Sequence, residues 1–367
     1  MAAHFRKKPP HPLFRVLAAI TGGALAMVLI WWLLQRFFPQ SLPIDLPSYR
    51  QSNSQSLVEM FQAGPDSTGP YAELTIPYLR AREYESQLGE LQQLVQNNTY
   101  TSYLTNYDSD GLRINGLLTV PTGEQPAAGW PAIVFIHGYI PPTQYRTQEK
   151  YVEYVDYLSE SGFVVFKIDL RGHGSSEGEA SGAYYAGDYI IDALNARAAL
   201  ESSEFVGTNR VGLWGHSMAG NVVLRSLAVR PEIPAAVIWA GAVYSYEDWQ
   251  TYRLNDNSYR PPSTVSDRQR RRQNLFDTHG EFSPDSDFWQ TVAATNYLDD
   301  IRGAIQLHHA VNDAAGNVGY SRDLNALLDQ TAIPHELHEY SSGGHNIEDG
   351  SFGTAMQRTA AWFEEYL

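Results

Sequence analysis

Three residues that can do chemistry each follow a short apolar run in this chain. The first is Ser217, in Gly212 to Gly220, GLWGHSMAG. An apolar run leads into it and a helix-like run, AGNVVLRSLAVRP, leads out. A serine on such a strand-to-helix turn is held in a strained backbone position, and small neighbours at 215 and 219 avoid clashes. Its hydroxyl then stands clear at the strand end. A serine hydroxyl is a poor nucleophile near neutral pH and needs a base beside it. His345, in SSGGHN, can supply one, because an unperturbed imidazole titrates near 6.5. The imidazole in turn needs a carboxylate to hold its tautomer and stabilise its cation. Asp313, in LHHAVNDAAGN, stands after another apolar run. The order Ser217, Asp313, His345 is the chain order expected of a triad built on a nucleophile elbow.

A tetrahedral intermediate also needs donors for its oxyanion. The amide of Met218 lies at the start of the following helix and points to where that oxygen would form. FIHGYIPP ends another apolar run, and the amide of Tyr139 can pair with that of Met218. The Tyr139 hydroxyl is a further candidate there. Each such donor is worth roughly 10²–10³ in rate.

Other residues compete for these roles. Ser217 could be a plain helix N-cap, but the three ordered partners favour the nucleophile. Asp299 and Asp300 precede their strand and fall at its wrong end. His335 and His338 lie before or within theirs. His308 and His309 are expected to shape a strand end, and His216 to pack at the elbow. Asp169, Arg171 and His173 read as a scaffold loop containing an arginine–carboxylate pair. HELH, residues 335–338, lacks zinc-site spacing, so no metal and no organic cofactor are expected.

These residues need a scaffold, and the punctuation of the chain describes one. LRINGLLTVP, AIVFIHG, FVVFKIDL, RVGLWGHS, AAVIWAG, GAIQLHHA and ELHEY read as strands. EKYVEYVDYLSESG, YIIDALNARAALE, AGNVVLRSLAVRP, YSRDLNALLDQ and TAMQRTAAWFEEYL read as helices. Apolar strands alternating with helices imply an α/β architecture, a mostly parallel sheet covered on both faces, with ligands beyond the carboxyl ends of the strands. Tyr84 to Gln96, YESQLGELQQLVQ, has helical spacing, and NNTYTSYLTNY reads as extended. Residues 245–297 break the rhythm and are expected to form a cap over the site. Arg268, Arg270, Arg271 and Arg272 in that insertion are expected to be a solvated helix face. Recognition of an acidic substrate group or a lipid headgroup is the sharper alternative.

The ends and the composition set the context. The chain has 367 residues, 43% of them hydrophobic, with a net charge of -15 and no cysteine. The negative charge argues against a nucleic-acid partner, and the absent cysteine excludes disulfides and thiolate chemistry. Val16 to Leu34 carries no charge and approaches the roughly 20 residues a membrane-spanning helix needs. Basic residues 6, 7, 8 and 15 precede it, so the N-terminus is expected in the cytoplasm and the catalytic domain outside it. The expected organisation is a basic tail 1–15, a transmembrane anchor 16–36, a linker 37–70 and a catalytic domain 71–367.

YDSDGLRINGLLTVP, IVFIHGY, DLRGHGSSEGE, GLWGHSMAG, HHAVND and GGHN occur in that order over about residues 107–346. On these motifs the chain resembles the α/β-hydrolase superfamily, most of all the catalytic domain of prolyl oligopeptidase-type serine peptidases. The resemblance implies an α/β-hydrolase fold, the triad Ser217, Asp313 and His345, and hydrolysis of a peptide or ester bond. Carboxylesterase or lipase-type chemistry is the alternative, and a non-catalytic binding protein on the same fold is a second one. Three departures stand out. Ala219 replaces the last glycine of G-x-S-x-G, and Ala310 stands where a glycine usually follows the histidine before the acid. Residues 37–106 are too few for the β-propeller that limits substrate size in some members, which leaves that control to the cap.

Overall fold

The computed structural model describes residues 69–254 and 267–367, with the side chains of 267–269 excepted. In chain order the strands are β1 (Gln92–Gln96), β2 (Tyr100–Ser109), β3 (Leu112–Pro121), β4 (Trp130–Ile136), β5 (Val164–Ile168), β6 (Val206–His216), β7 (Ala235–Trp239), β8 (Ala304–Ala310) and β9 (His335–Tyr340). The helices are α1 (Ile76–Ala81), α2 (Val152–Glu160), α3 (Asp188–Glu201), α4 (Ala219–Val229), α5 (Tyr246–Tyr252), α6 (Asp267–His279), α7 (Asp287–Val292), α8 (Gly319–Leu328) and α9 (Phe352–Tyr366). The strands form one sheet in the order β1-β2-β3-β5-β4-β6-β7-β8-β9. Pairs from β1 to β5 across β3 are antiparallel, and those from β5 to β9 are parallel.

Both faces of the sheet are covered, which is why its central strands read as continuous apolar runs. In β4, Ala132, Val134 and Ile136 face one core with α3 and α4, while Ile133 and Phe135 face a second core with α2 and α9. Phe135 stacks on Trp214 of β6 with ring centroids 4.0 Å apart. Because the central strands run parallel, β4, β6, β7, β8 and β9 all present their carboxyl ends at one edge.

Tyr84 to Gln96 is not helical. Gly89 donates to the Asn106 carbonyl at 2.7 Å, and β1 pairs with β2. The helical spacing of its apolar residues marks no buried face, since Leu91 and Val95 stay exposed. Strand pairing outweighs local propensity here. The segment before it packs on the main domain. Fully buried Arg225 donates to the carbonyls of Leu74 and Ala186, and Arg80 to that of Ala228 at 2.7 Å. The expected anchor, residues 16–36, lies outside the described residues. Among the described residues no helix is long and apolar enough to cross a membrane.

The described part of the 245–297 insertion forms α5, α6 and α7 around buried Tyr246, Leu275 and Trp289, which pack on Leu74. Of its arginines, Arg270, Arg271 and Arg272 are exposed, as expected, and two of them also meet neighbouring side chains. Arg271 pairs with Asp188 at 3.5 Å, and Arg272 lies over the rings of Tyr185, Trp249 and Phe276. Aromatic faces and a carboxylate on the neighbouring surface draw these guanidinium groups down.

An arginine–carboxylate pair forms at Arg171 as expected, with its acid outside the 169–173 loop. Arg171 turns away from Asp169 to the carboxylate of Asp192 on α3, with Nη2 at 2.7 Å and its own amide at 2.9 Å. Ser109 of β2 donates to the same carboxylate at 2.7 Å. Asp192 is fully buried, so removing either charge strands the other in a dry interior. Asp192→Ala is therefore expected to lower unfolding free energy by about 3–5 kcal/mol in urea titrations. Adding Arg171→Met should restore much of that loss. A single variant within about 0.5 kcal/mol of wild type, the range of ordinary surface substitutions, would show that the pair does not hold the loop.

Candidate active site

The carboxyl end of β6 turns directly into α4, and Ser217 is the residue at the corner. Its φ is 55°, left-handed, a conformation that costs a non-glycine residue about 1–3 kcal/mol. Two backbone bonds hold it there. The Ser217 amide donates to the Trp239 carbonyl at 2.8 Å, and its carbonyl accepts from the Gly220 amide at 2.9 Å. Close packing of strand against helix needs a glycine at 215, where a Cβ would lie 2.7 Å from Val223 Cγ2 and 2.9 Å from the Ala219 carbonyl. At 219 a methyl group is accommodated and fully buried, so the departure from G-x-S-x-G leaves the turn intact.

Three loops meet at this corner. His345 lies in a short turn after β9, Gly344–Asn346, and its Nε2 is 2.8 Å from Ser217 Oγ. Its Nδ1 is 2.7 Å from Asp313 Oδ2. The carboxylate can only accept, so Nδ1 carries the proton and Nε2 is left to accept from the serine hydroxyl. Asp313, after β8, has its side chain fully buried. Its Oδ1 accepts from the amides of Ala315 and Gly316 at 2.8 and 3.0 Å. Burial pushes its pKa up, but bonds from His309, His345 and the Gly316 amide outweigh this and hold the carboxyl well below its usual range. Asp313 therefore stays ionised wherever imidazoles titrate.

Tyr139 and Met218 line the same cavity as Ser217 and His345. The cavity has a volume of about 1600 Å³ and extends past Tyr184, Arg171 and Phe352. The loop carrying Tyr139 is tied to the end of β5. Buried Lys167 donates to the carbonyls of Thr147 and Lys150, each at 2.5 Å, and Asp169 accepts from the hydroxyls of Tyr145 and Thr147 at 2.9 and 2.6 Å. Burial lowers the Lys167 pKa to about 8 and raises that of Asp169 to about 6.

Two histidines sit closer to the chemistry than their sequence positions indicate. His309 Nε2 lies 3.2 Å from Asp313 Oδ2, with Ser321 at its Nδ1. A histidine four residues before the acid on a strand end is the signal for this contact. His216 bonds through both ring nitrogens, to Tyr151 and to the His345 carbonyl, and so does more than pack. The rival residues lie elsewhere. Asp300 pairs with Arg80, His335 with Asp329, and His338 with Glu336. His308 bonds Tyr340 and Gln306. Among the described residues no group of three acidic or imidazole side chains could hold a metal ion.

The family described as serine aminopeptidase, S33, matches residues 130–261, which include the elbow. A curated relative, dipeptidyl-aminopeptidase B of Penicillium rubens, is 25% identical over 44% of this chain, and the chain spans only 18% of that protein's length. Dipeptidyl peptidase 4 of Porphyromonas gingivalis superposes with a TM-score of 0.57 at 18% identity, covering 73% of this chain and 36% of its own. An acetyl xylan esterase of Paenibacillus sp. R4 superposes at 0.56 with 19% identity, covering 85% of this chain and 99% of its own. The structural likeness gives the chain an α/β-hydrolase fold, and its segment 130–261, which holds Ser217, is similar to the serine aminopeptidase family.

Proposed function

We propose that the protein hydrolyses peptide bonds through Ser217, His345 and Asp313, as a prolyl oligopeptidase-type serine peptidase. The observation that carries this reading is the unbroken contact from Ser217 Oγ through the His345 ring to the carboxylate of Asp313, at 2.8 and 2.7 Å. Ser217 Oγ attacks the substrate carbonyl carbon while His345 Nε2 takes its proton. The carbonyl oxygen becomes an oxyanion held by the amides of Tyr139 and Met218. His345 then gives the proton to the leaving nitrogen, the C–N bond breaks and an acyl-Ser217 remains. Water, deprotonated by the same imidazole, releases the acid and restores the serine. Asp313 holds the imidazole in its tautomer and balances the positive charge that forms on it.

The S33 match around the elbow supports a peptide as substrate. So does the cavity, at about 1600 Å³. Small-molecule pockets usually run about 300–1,000 Å³, so this one has room for several residues. Ester hydrolysis uses the same apparatus and is the competing reading.

We also propose that residues 16–36 anchor the protein in a membrane with the catalytic domain outside the cytoplasm. The support is the uncharged stretch and the basic residues before it.

Three outcomes test these statements. A fluorophosphonate should label wild-type protein and fail to label Ser217→Ala; equal labelling of both would remove Ser217 from the reaction. A peptidyl nitroanilide and a short-chain nitrophenyl ester should both be turned over, with a loss of about 10⁴-fold or more in Ser217→Ala. Turnover of the ester alone would make the protein an esterase. Full-length protein should stay in the membrane pellet after alkaline carbonate washing, and a form lacking residues 1–36 should not. Release of the full chain by the wash would rule out the anchor.

A further inference from the structure

His216 is the neighbour of the proposed nucleophile, and its buried side chain lies at the wall of the same cavity. Its two nitrogens join parts of the site that are far apart in the chain. The Gly138 amide lies 3.0 Å from the Tyr151 hydroxyl, and that hydroxyl lies 2.8 Å from His216 Nδ1. His216 Nε2 lies 2.9 Å from the carbonyl of His345. The direction of every bond is fixed by its two backbone ends. The Gly138 amide can only donate, so the Tyr151 oxygen accepts. At the other end the His345 carbonyl can only accept from Nε2, so Nδ1 of the neutral ring accepts the Tyr151 proton. That leaves the His216 proton on Nε2, donated to a carbonyl that can only accept.

We propose that His216 and Tyr151 are positioning residues that lock the loop bearing the Tyr139 amide to the loop bearing His345, so that oxyanion donor and general base are set as one unit. The inference rests on the reading of Ser217, His345 and Asp313 as the reacting residues.

Several features of the structure fit this role. A Cβ at Gly138 would meet His216 Nδ1 at 2.9 Å and the Tyr151 hydroxyl at 3.0 Å, so the glycine is what lets the network close. Tyr151 is itself held at a φ of 59°, left-handed, directly before α2. Strain of that kind persists only where its surroundings enforce it. The His216 ring lies 4.7 Å from the His345 ring and stacks near Trp214. Burial lowers its pKa to about 3, and the neighbouring His345 works in the same direction. A neutral His216 keeps the bond pattern intact and puts no second cation beside His345 when that ring takes up the serine proton.

The test is the rate of fluorophosphonate labelling, resolved into kinact and KI. It needs no knowledge of the natural substrate. As the Ser217 Oγ–P bond forms, fluoride leaves and the serine proton passes to His345, so kinact reads the geometry of base and oxyanion donors. Tyr151→Phe and His216→Leu are each expected to lower kinact by roughly 10–100-fold, the scale of a displacement of about 1 Å, with KI and Tm little changed. His216→Gln, whose amide can still donate to the His345 carbonyl, should recover most of the loss. The Tyr151→Phe/His216→Leu double variant should be no slower than the slower single one, because both break one network. Wild-type kinact in Tyr151→Phe, equal rates for His216→Leu and His216→Gln, or losses that multiply would each overturn the inference. Tyr151→Phe removes one hydroxyl and decides the matter if the His216 variants do not fold. Ser217→Ala separates the two levels. If it labels like wild type, the underlying reading falls and this one with it. If it is silent while Tyr151→Phe labels at the wild-type rate, only the positioning role falls.

Discussion

A carboxylate with no exposed surface sits at the bottom of the site, and the site depends on how Asp313 is kept charged there. Removing a carboxylate from water is expensive unless donors replace the lost hydration. Two backbone amides take one oxygen, while His345 and His309 face the other. Because the carboxylate stays ionised, His345 Nδ1 must carry a proton and Nε2 must present a lone pair to Ser217. A single buried charge thus sets the tautomer of His345 and the direction of the hydroxyl proton. Replacing the charge by a neutral group would leave the contacts in place and remove their polarity.

The parallel sheet makes this convergence possible. β4, β6, β8 and β9 end on one side, so the loops bearing Tyr139, Ser217, Asp313 and His345 meet although they span more than two hundred positions. Register is equally important. His216 on β6 pairs with Trp239 on β7, and the Trp239 carbonyl takes the Ser217 amide. A slip of one residue would turn the serine away from the edge. Behind the edge, the buried Arg171–Asp192 pair, Lys167 and Asp169 tie the surrounding loops to strand ends by polar contacts with defined geometry. Packing alone would leave those loops free to shift.

Much of this was legible in the chain because it depends on local pattern. Runs such as VVFKI and AAVIW mark strands buried on both faces, and the small residues Gly215 and Ala219 on either side of Ser217 mark a tight turn. Elements whose identity depends on a distant partner were not legible. Tyr84 to Gln96 has the spacing of a helix but lies along β2. Arg171 could be matched to a carboxylate, but only the folded chain brings Asp192 to it in place of Asp169. The exposure of Arg270, Arg271 and Arg272 was legible, but the contacts of Arg271 with Asp188 and of Arg272 with the rings of Tyr185 and Trp249 were not. His216 and His309 were hidden for the same reason. A histidine in a motif gives no sign of which carbonyl or carboxylate its nitrogens will meet.

The central claim is that Ser217 becomes covalently acylated with His345 as the base. Rapid acid quenching of the protein during turnover of a peptidyl nitrophenyl ester, followed by mass mapping of the acyl group, tests it directly. The account predicts one acyl group per chain, on the peptide that contains Ser217, accumulating before steady state and absent when His345 is replaced by alanine. Turnover with the acyl group on another residue, or with none at all, would contradict it.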